Sequence, residues 1–262
     1  MAIFCYNLSM TSDTKIAAII LAGGKGTRMK SEKENKVTLL FHGKPIIKYA
    51  VEVMQSVASE VVVVVGSMAD TVKNSLSGMN VIFANQTEQL GTGHALQIGF
   101  KELENKNPDV VLVGYGDHMM FYKPESLLEL VSLHKQARSS FSFITTLSND
   151  PNSLAWGRVL RNENKDVVGL VEQKDATEEQ KMIQEVNPGM YCMSFDFLKE
   201  FLPKITKSPV TNEYYLTELL ELAFQNGQKI VALPVPFEEV GIGINRPEEL
   251  DKSQELYKSV KN

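Results

Sequence analysis

Three side chains stand out by type and setting: Lys25 and Arg28 in the turn LAGGKGTRM (Leu21 to Met29), and Asp117 in GYGD (Gly114 to Asp117). The turn follows the apolar run Ile16 to Ile20. A buried strand running into a glycine-rich turn brings bare backbone N–H groups up to an anion, and two cations in the same turn suit a polyphosphate. A nucleotide is therefore the leading ligand. The turn is not a P-loop, which needs Gly-Lys followed directly by Ser or Thr, nor the dinucleotide fingerprint, which needs glycine where Met29 stands. Without its cations it would read equally as a strand-to-helix bend made glycine-rich for steric reasons.

Asp117 closes a second apolar run. A carboxylate at a strand end can hold Mg²⁺, which helps neutralise a triphosphate whose α-phosphorus is under attack. Asp117 lies too far before Pro124 to cap a helix that starts there. Mg²⁺ prefers oxygen and takes few protein ligands, so one neutral donor elsewhere would suffice. Asn245, in GIGIN before Arg246-Pro247, is that candidate, and it reads equally as an ordinary helix cap. NQTEQLGTGHAL, Asn85 to Leu96, sets amide side chains before a helix start. There Gln86, Gly91 and Thr92 offer the donors and acceptors that read a base edge, with Thr92 doubling as the N-cap. His94, in the first helical turn, reads as a packing residue rather than a general base. No Ser or Cys is paired with a base, so nucleophilic catalysis is not expected.

The elements that must position these residues alternate along the chain. Strand-like runs at Ala17–Leu21, Glu60–Gly66, Met79–Ala84 and Asp109–Gly114 alternate with helix-like stretches at Pro45–Val57, Met68–Leu76 and Thr92–Leu103. Near-continuous valine runs such as Val61–Val65 are what a parallel sheet covered on both faces produces. The expected fold class is α/β: a doubly wound, mostly parallel, mixed sheet in a three-layer Rossmann-like domain, with ligands at the carboxyl ends of the strands. After about residue 150 short β-like pieces follow at Gly157–Leu160, Val167–Glu172 and Glu185–Met193, separated by polar turns such as Asn162–Lys165. They predict a small antiparallel substrate-side lobe. Helix-like Tyr214–Gln225 and Pro247–Val260, with a strand-like Lys229–Pro234 between them, complete the chain. The expected organisation is a leader at 1–15 and one domain at 16–262, with a nucleotide-binding half (16–150) and a substrate-binding half (151–262).

Composition narrows the partners. With 262 residues and 43% hydrophobic content, the chain is long enough to bury a large core. A net charge of -5 argues against a general nucleic-acid surface. Val61–Val65 is far too short for a membrane span, and Cys5 and Cys192 have neither disulfide-framework nor zinc spacing, so a cytoplasmic protein with no membrane contact is expected.

Read in order, LAGGKGTRM, GKPII, NQTEQLGTGHA, GYGD, WGRV, VEQKDAT, EVNPGMY, NEYYLTE and GINRPEEL closely resemble the N-terminal pyrophosphorylase domain of bacterial N-acetylglucosamine-1-phosphate uridylyltransferases, from about Ile16 to Leu250. This resemblance implies Mg²⁺-dependent transfer of uridylyl from UTP to a sugar 1-phosphate, N-acetylglucosamine 1-phosphate or a relative, with pyrophosphate as the leaving group. It implies that Leu21, Ala22, Gly23 and Gly24 lie along the uridine, that Lys25, Arg28 and Lys36 hold phosphates, and that Gln86, Gly91 and Thr92 read uracil. It further implies that Asp117 and Asn245 hold Mg²⁺ and that Gly157, Glu172 and Asn187 contact the sugar, with Tyr214 and Tyr215 supporting that pocket. A cytidylyl- or guanylyltransferase and a catalytically weak nucleotide-sugar-binding regulator are the alternatives.

The chain departs from the family pattern at four places. Asn35 precedes Lys36 where the family has proline, which removes a rigid φ and is expected to displace the Lys36 amine. His118-Met119-Met120 replace a proline-leucine pair, Trp156 stands for tyrosine, and Pro188 stands for threonine. No hexapeptide repeat follows Leu250, so the acetyl transfer of the bifunctional relatives is not expected of these residues, and a monomer or weak homodimer is.

Overall fold

In the computed structural model, residues 13–24 and 35–261 are described; Lys25, Arg28 and the leader as far as Ser12 lie outside them. Twelve strands and nine α-helices follow in chain order among the described residues. The first half holds β1 (Ile16–Ala22), β2 (Leu40–Phe41), β3 (Lys44–Pro45), α1 (Ile46–Gln55), β4 (Glu60–Val65), α2 (Ala69–Ser75), β5 (Ile82–Asn85), α3 (Thr92–Lys101), β6 (Val110–Tyr115) and α4 (Pro124–Ala137). Then come β7 (Phe141–Leu147), β8 (Gly157–Arg161), β9 (Val167–Val171), α5 (Glu178–Lys181), β10 (Glu185–Asn187), β11 (Met190–Ser194), α6 (Phe195–Phe201), α7 (Glu218–Gln225), β12 (Ile230–Pro234), α8 (Phe237–Val240) and α9 (Pro247–Lys261). Of the leader, Lys15 is fastened by its N–H to the Asp109 carboxylate, 2.8 Å away.

β5, β4, β1 and β6 lie side by side and parallel, and the sheet continues through β11 and β7 to β10, β8 and β9, with β12 parallel along β7. The apolar runs are continuous because both faces are covered. Ala18 and Ile20 of β1 join Val63 and Leu112 in a core under α1 and α4, whereas Ala17, Ile19, Val62, Val64 and Val113 face the other side with Leu96 and Phe100 of α3. Burying each of the larger side chains among these contributes about 1.5–3 kcal/mol. The chain runs outward from β1 to β4 and β5, then returns through α3 to β6 on the opposite side of β1, so the order reverses between β1 and β6. The carboxyl ends of these two strands flank the crevice where such sheets bind ligands.

Of the short antiparallel pieces expected after residue 150, the first two form the β8–β9 hairpin, turned by hydrogen bonds from Asn162 N–H to Asp166 O (3.0 Å) and from Lys165 N–H to Asn162 O (2.9 Å). Two sequence expectations are corrected. The strand expected over 185–193 is two strands, because Pro188 offers no N–H and Gly189 turns at φ +90°. The break lets β10 pair with β8 while β11 pairs with β6, which opens the sheet at that point. The helix expected from Tyr214 begins only at Glu218, because Tyr214 N–H bonds Leu90 O (2.8 Å), Gly93 N–H bonds Tyr214 O (2.8 Å) and Leu216 N–H bonds the Thr92 hydroxyl (3.1 Å). Tertiary anchoring there overrides helix propensity.

Candidate active site

A cavity of about 540 Å³ opens at the carboxyl ends of β1 and β6 and extends to the β10–β11 break. One end is built by the chain after β1, the Gln86 loop after β5 and the start of α3. Leu21, Ala22, Gly23, Gly24, Gln86, Gly91 and Thr92 all line it. Gln86 is buried at 4% exposure, and its Nε2 lies 3.1 Å from Gly91 O and 3.2 Å from His94 Nδ1. With Nε2 as donor, His94 accepts at Nδ1 and carries its proton on Nε2, so His94 orients Gln86. The helix cap is Gly91, not Thr92. Gly91 has φ +107°, and a Cβ there would meet Tyr214 O at 2.4 Å, so the turn admits glycine alone.

The opposite end is formed by Gly157 at the start of β8, Glu172 after β9 and Asn187 at the end of β10. Asn187 Nδ2 donates to the Tyr191 hydroxyl (2.8 Å), Asn187 Oδ1 accepts from Gly189 N–H (3.0 Å), and Tyr191 is hydrogen-bonded to Tyr115, which also meets Thr92. Burial raises the pKa of both tyrosines, so they remain neutral donors. Burial also raises the Glu172 pKa, opposed by the hydrogen bond from the Thr217 hydroxyl (3.1 Å).

Between the two ends, Lys36 forms an ion pair with Asp117, and its Nζ lies 2.9 Å from Asn245 Oδ1. Ile244 N–H bonds Asp117 O (3.1 Å), while Asn245 N–H (2.6 Å) and Arg246 N–H (2.9 Å) both bond Glu249 of α9. The Asn245 side chain is therefore not spent on capping; Glu249 reaches back to do that. The Asp117 carboxylate and the Asn245 amide oxygen thus converge on one cationic group, the Lys36 ammonium.

The expectation that Asn35 displaces the Lys36 amine is corrected. Asn35 holds φ −68°, the value proline would impose, and the amine reaches Asp117. Tyr214 and Tyr215 do not line the cavity. Tyr214 supports it through its backbone bonds to Leu90 and Gly93, and the Tyr215 hydroxyl is held by Lys174 and by Thr211 (2.7 Å). Lining residues to which the sequence reading gave no site role are Tyr115, Tyr191, Gln89 and Glu213, while His118 and Trp156, noted there only as departures from the family pattern, line it too. Tyr115 carried a signal, since it directly precedes Gly116-Asp117 at the ligand edge. His118 is fixed with Nδ1 2.8 Å from Pro188 O, and its ring lies 4.7 Å from that of Trp156; burial lowers its pKa.

A family model described as the MobA-like NTP transferase domain matches residues 18–185. The chain belongs to the MobA-like NTP transferase family. This NTP transferase domain is 38% identical over 238 residues to the bifunctional protein GlmU of Caldicellulosiruptor saccharolyticus, covering 90% of the chain and 50% of that protein. It is 37% identical over 240 residues to GlmU of Clostridioides difficile, covering 91% and 51%. The chain spans about half the length of the curated relatives it matches. Among solved structures, a putative glucose-1-phosphate thymidylyltransferase from Bacillus anthracis has the same fold, with a TM-score of 0.72 at 19% identity, covering 92% of the chain and 94% of that one. No helix among the described residues is long and apolar enough to cross a membrane.

Proposed function

We propose that this NTP transferase domain is a Mg²⁺-dependent sugar-1-phosphate uridylyltransferase acting on UTP and N-acetylglucosamine 1-phosphate or a related sugar 1-phosphate. The observation that carries the reading is that Asp117, Lys36 and Asn245 share one cavity with Gln86, Gly91 and Thr92 at one end and Gly157, Glu172 and Asn187 at the other. The uracil edge is read by Gln86 and the Gly91–Thr92 backbone. Glu172 and Asn187 accept and donate to sugar hydroxyl or amide groups.

An oxygen of the sugar 1-phosphate attacks the α-phosphorus of UTP in line; the new P–O bond forms as the bond to the bridging oxygen breaks, and pyrophosphate leaves. Lys36, with Lys25 and Arg28 as further phosphate-binding cations, offsets the charge that gathers on the transferring and leaving groups. Asp117 and Asn245 would hold Mg²⁺, which supplies positive charge to the phosphate oxygens when bound. That these two donors already share a cation supports the fit. The remaining contribution is alignment of two bound reactants, so no covalent enzyme intermediate is needed.

The test is pyrophosphate release over a panel of UTP, CTP, GTP and dTTP against several sugar 1-phosphates. Release with UTP and an amino-sugar 1-phosphate is expected. Release only with another triphosphate would reassign the base, and UTP binding without release from any pair would overturn the enzymatic reading.

A further inference from the structure

We propose that Asn35 is a positioning residue: its side-chain amide, through hydrogen bonds rather than through backbone φ, fixes the Lys36 ammonium at Asp117 and Asn245 and holds the Gly24 end of the nucleotide turn beside it. Asn35 is buried at 3% exposure and lines the cavity. Its Nδ2 lies 2.9 Å from Ser67 O, 3.3 Å from Gly24 O and 3.5 Å from Ala22 O, and its Oδ1 accepts from Val37 N–H at 3.2 Å. The Asn35 carbonyl accepts from both Thr38 N–H (2.9 Å) and Thr38 Oγ1 (2.8 Å), which closes the one-turn 3₁₀ helix on which Lys36 sits.

A single side chain thus ties together the chain after β1, the turn after β4 and the turn that carries Lys36. Each of these approaches the crevice from a different element, and the bond from Ser67 N–H to Gly23 O (3.1 Å) joins the first two without reaching the Lys36 turn. A buried carboxamide with two N–H groups facing three carbonyls and its oxygen on a backbone N–H is fully used, and its removal takes the donor from the half-buried Ser67 and Gly24 bonds and from the longer contact to buried Ala22 O. A proline would reproduce φ but could link none of the three. The consequence is that Lys36 keeps its place only while the amide does.

The role of Asn35 in turnover rests on the proposed transferase reading, but its structural part is tested without activity. Competitive acylation of lysine amines, read by mass spectrometry, compares wild type with Asn35→Asp, which keeps the acceptor for Val37 but has no amide N–H, and Asn35→Pro, which keeps φ alone. In both variants Lys36 is expected to be labelled several-fold faster, while Lys106 and Lys204, paired with Glu60 and Glu200, are unchanged. Unchanged labelling of Lys36, or an equal rise at all three lysines, would overturn the proposal. If wild type releases pyrophosphate, Asn35→Asp is expected to lower kcat in the native background and to have no further effect on kcat in Lys36→Met. Additive losses would mean that Asn35 acts by general support rather than through Lys36.

Discussion

The Lys36 ammonium donates to Asn245 Oδ1 across 2.9 Å while ion-paired with Asp117, bridging two residues that lie 128 positions apart in the chain. On the proposed reading, in which Asp117 and Asn245 would hold Mg²⁺, the Lys36 ammonium stands between the two oxygens that the ion would need. Lys36 and the metal are then expected to compete in the free protein, and nucleotide phosphates, by drawing the ammonium toward themselves, to relieve that competition.

Lys36→Met removes the competing charge. In the absence of nucleotide its affinity for Mn²⁺, followed by the paramagnetic resonance of the free ion, is expected to rise by on the order of tenfold, as expected for removing a unit charge a few ångströms away. Turnover is expected to fall in the same variant. Weaker Mn²⁺ binding would mean that Lys36 supports the metal rather than excluding it.

Glu172 keeps its proton to a higher pH than an ordinary carboxyl because burial disfavours its charged form. If the carboxylate accepts a sugar hydroxyl, KM for the sugar 1-phosphate rises as pH falls through this raised pKa, with kcat less affected. Glu172→Gln should lose that part of the pH dependence while retaining the part due to the phosphate itself. An identical profile in both proteins would remove Glu172 from sugar binding.

At Gly189, φ is +90° and a Cβ would lie 2.3 Å from the Tyr115 ring. Gly189→Ala is expected to cost about 1–3 kcal/mol from the backbone alone and to push Tyr115 out of its contact with Tyr191. Thermal unfolding should show a lowered midpoint, with KM for both substrates raised in the folded fraction.

How far the sequence foretold this arrangement depends on the kind of residue. The parallel strands were legible because β1, β4 and β6 are apolar on both faces, so Val61–Val65 reads as buried whatever surrounds it. Asp117 was legible from its place after such a strand. Asn35 was not, because its role lies in reaching Ser67, Gly24 and Ala22, contacts that no local spacing reveals. The strand break at Pro188-Gly189 was likewise hidden: its cause is a change of partner from β8 to β6, and only the proline and glycine hinted at it. The start of α7 was misplaced for the same reason, since Tyr214 is held by Leu90 and Gly93, more than a hundred residues away.

Away from the cavity, His134 is buried against the Ser142 hydroxyl at 2.7 Å, and burial together with Lys135 pulls its pKa down to about 4. The unfolded chain takes up this proton first, near pH 6.5, so the stability involved is present above about pH 6.5 and is lost as pH falls toward 4. From a shift of this size it amounts to about 3 kcal/mol. Denaturant midpoints measured between pH 7 and pH 4 should fall less in His134→Gln than in wild type; equal slopes would contradict the assignment.

Asp117→Asn keeps the shape of the site and removes its charge. Pyrophosphate release with UTP, the sugar 1-phosphate and Mg²⁺ is the direct test of the claim that Asp117 and its partners organise the transferring phosphates. A loss on the order of a hundredfold or more, with the fold intact by circular dichroism, is expected for a preorganised electrostatic contact. Turnover equal to wild type would contradict the account.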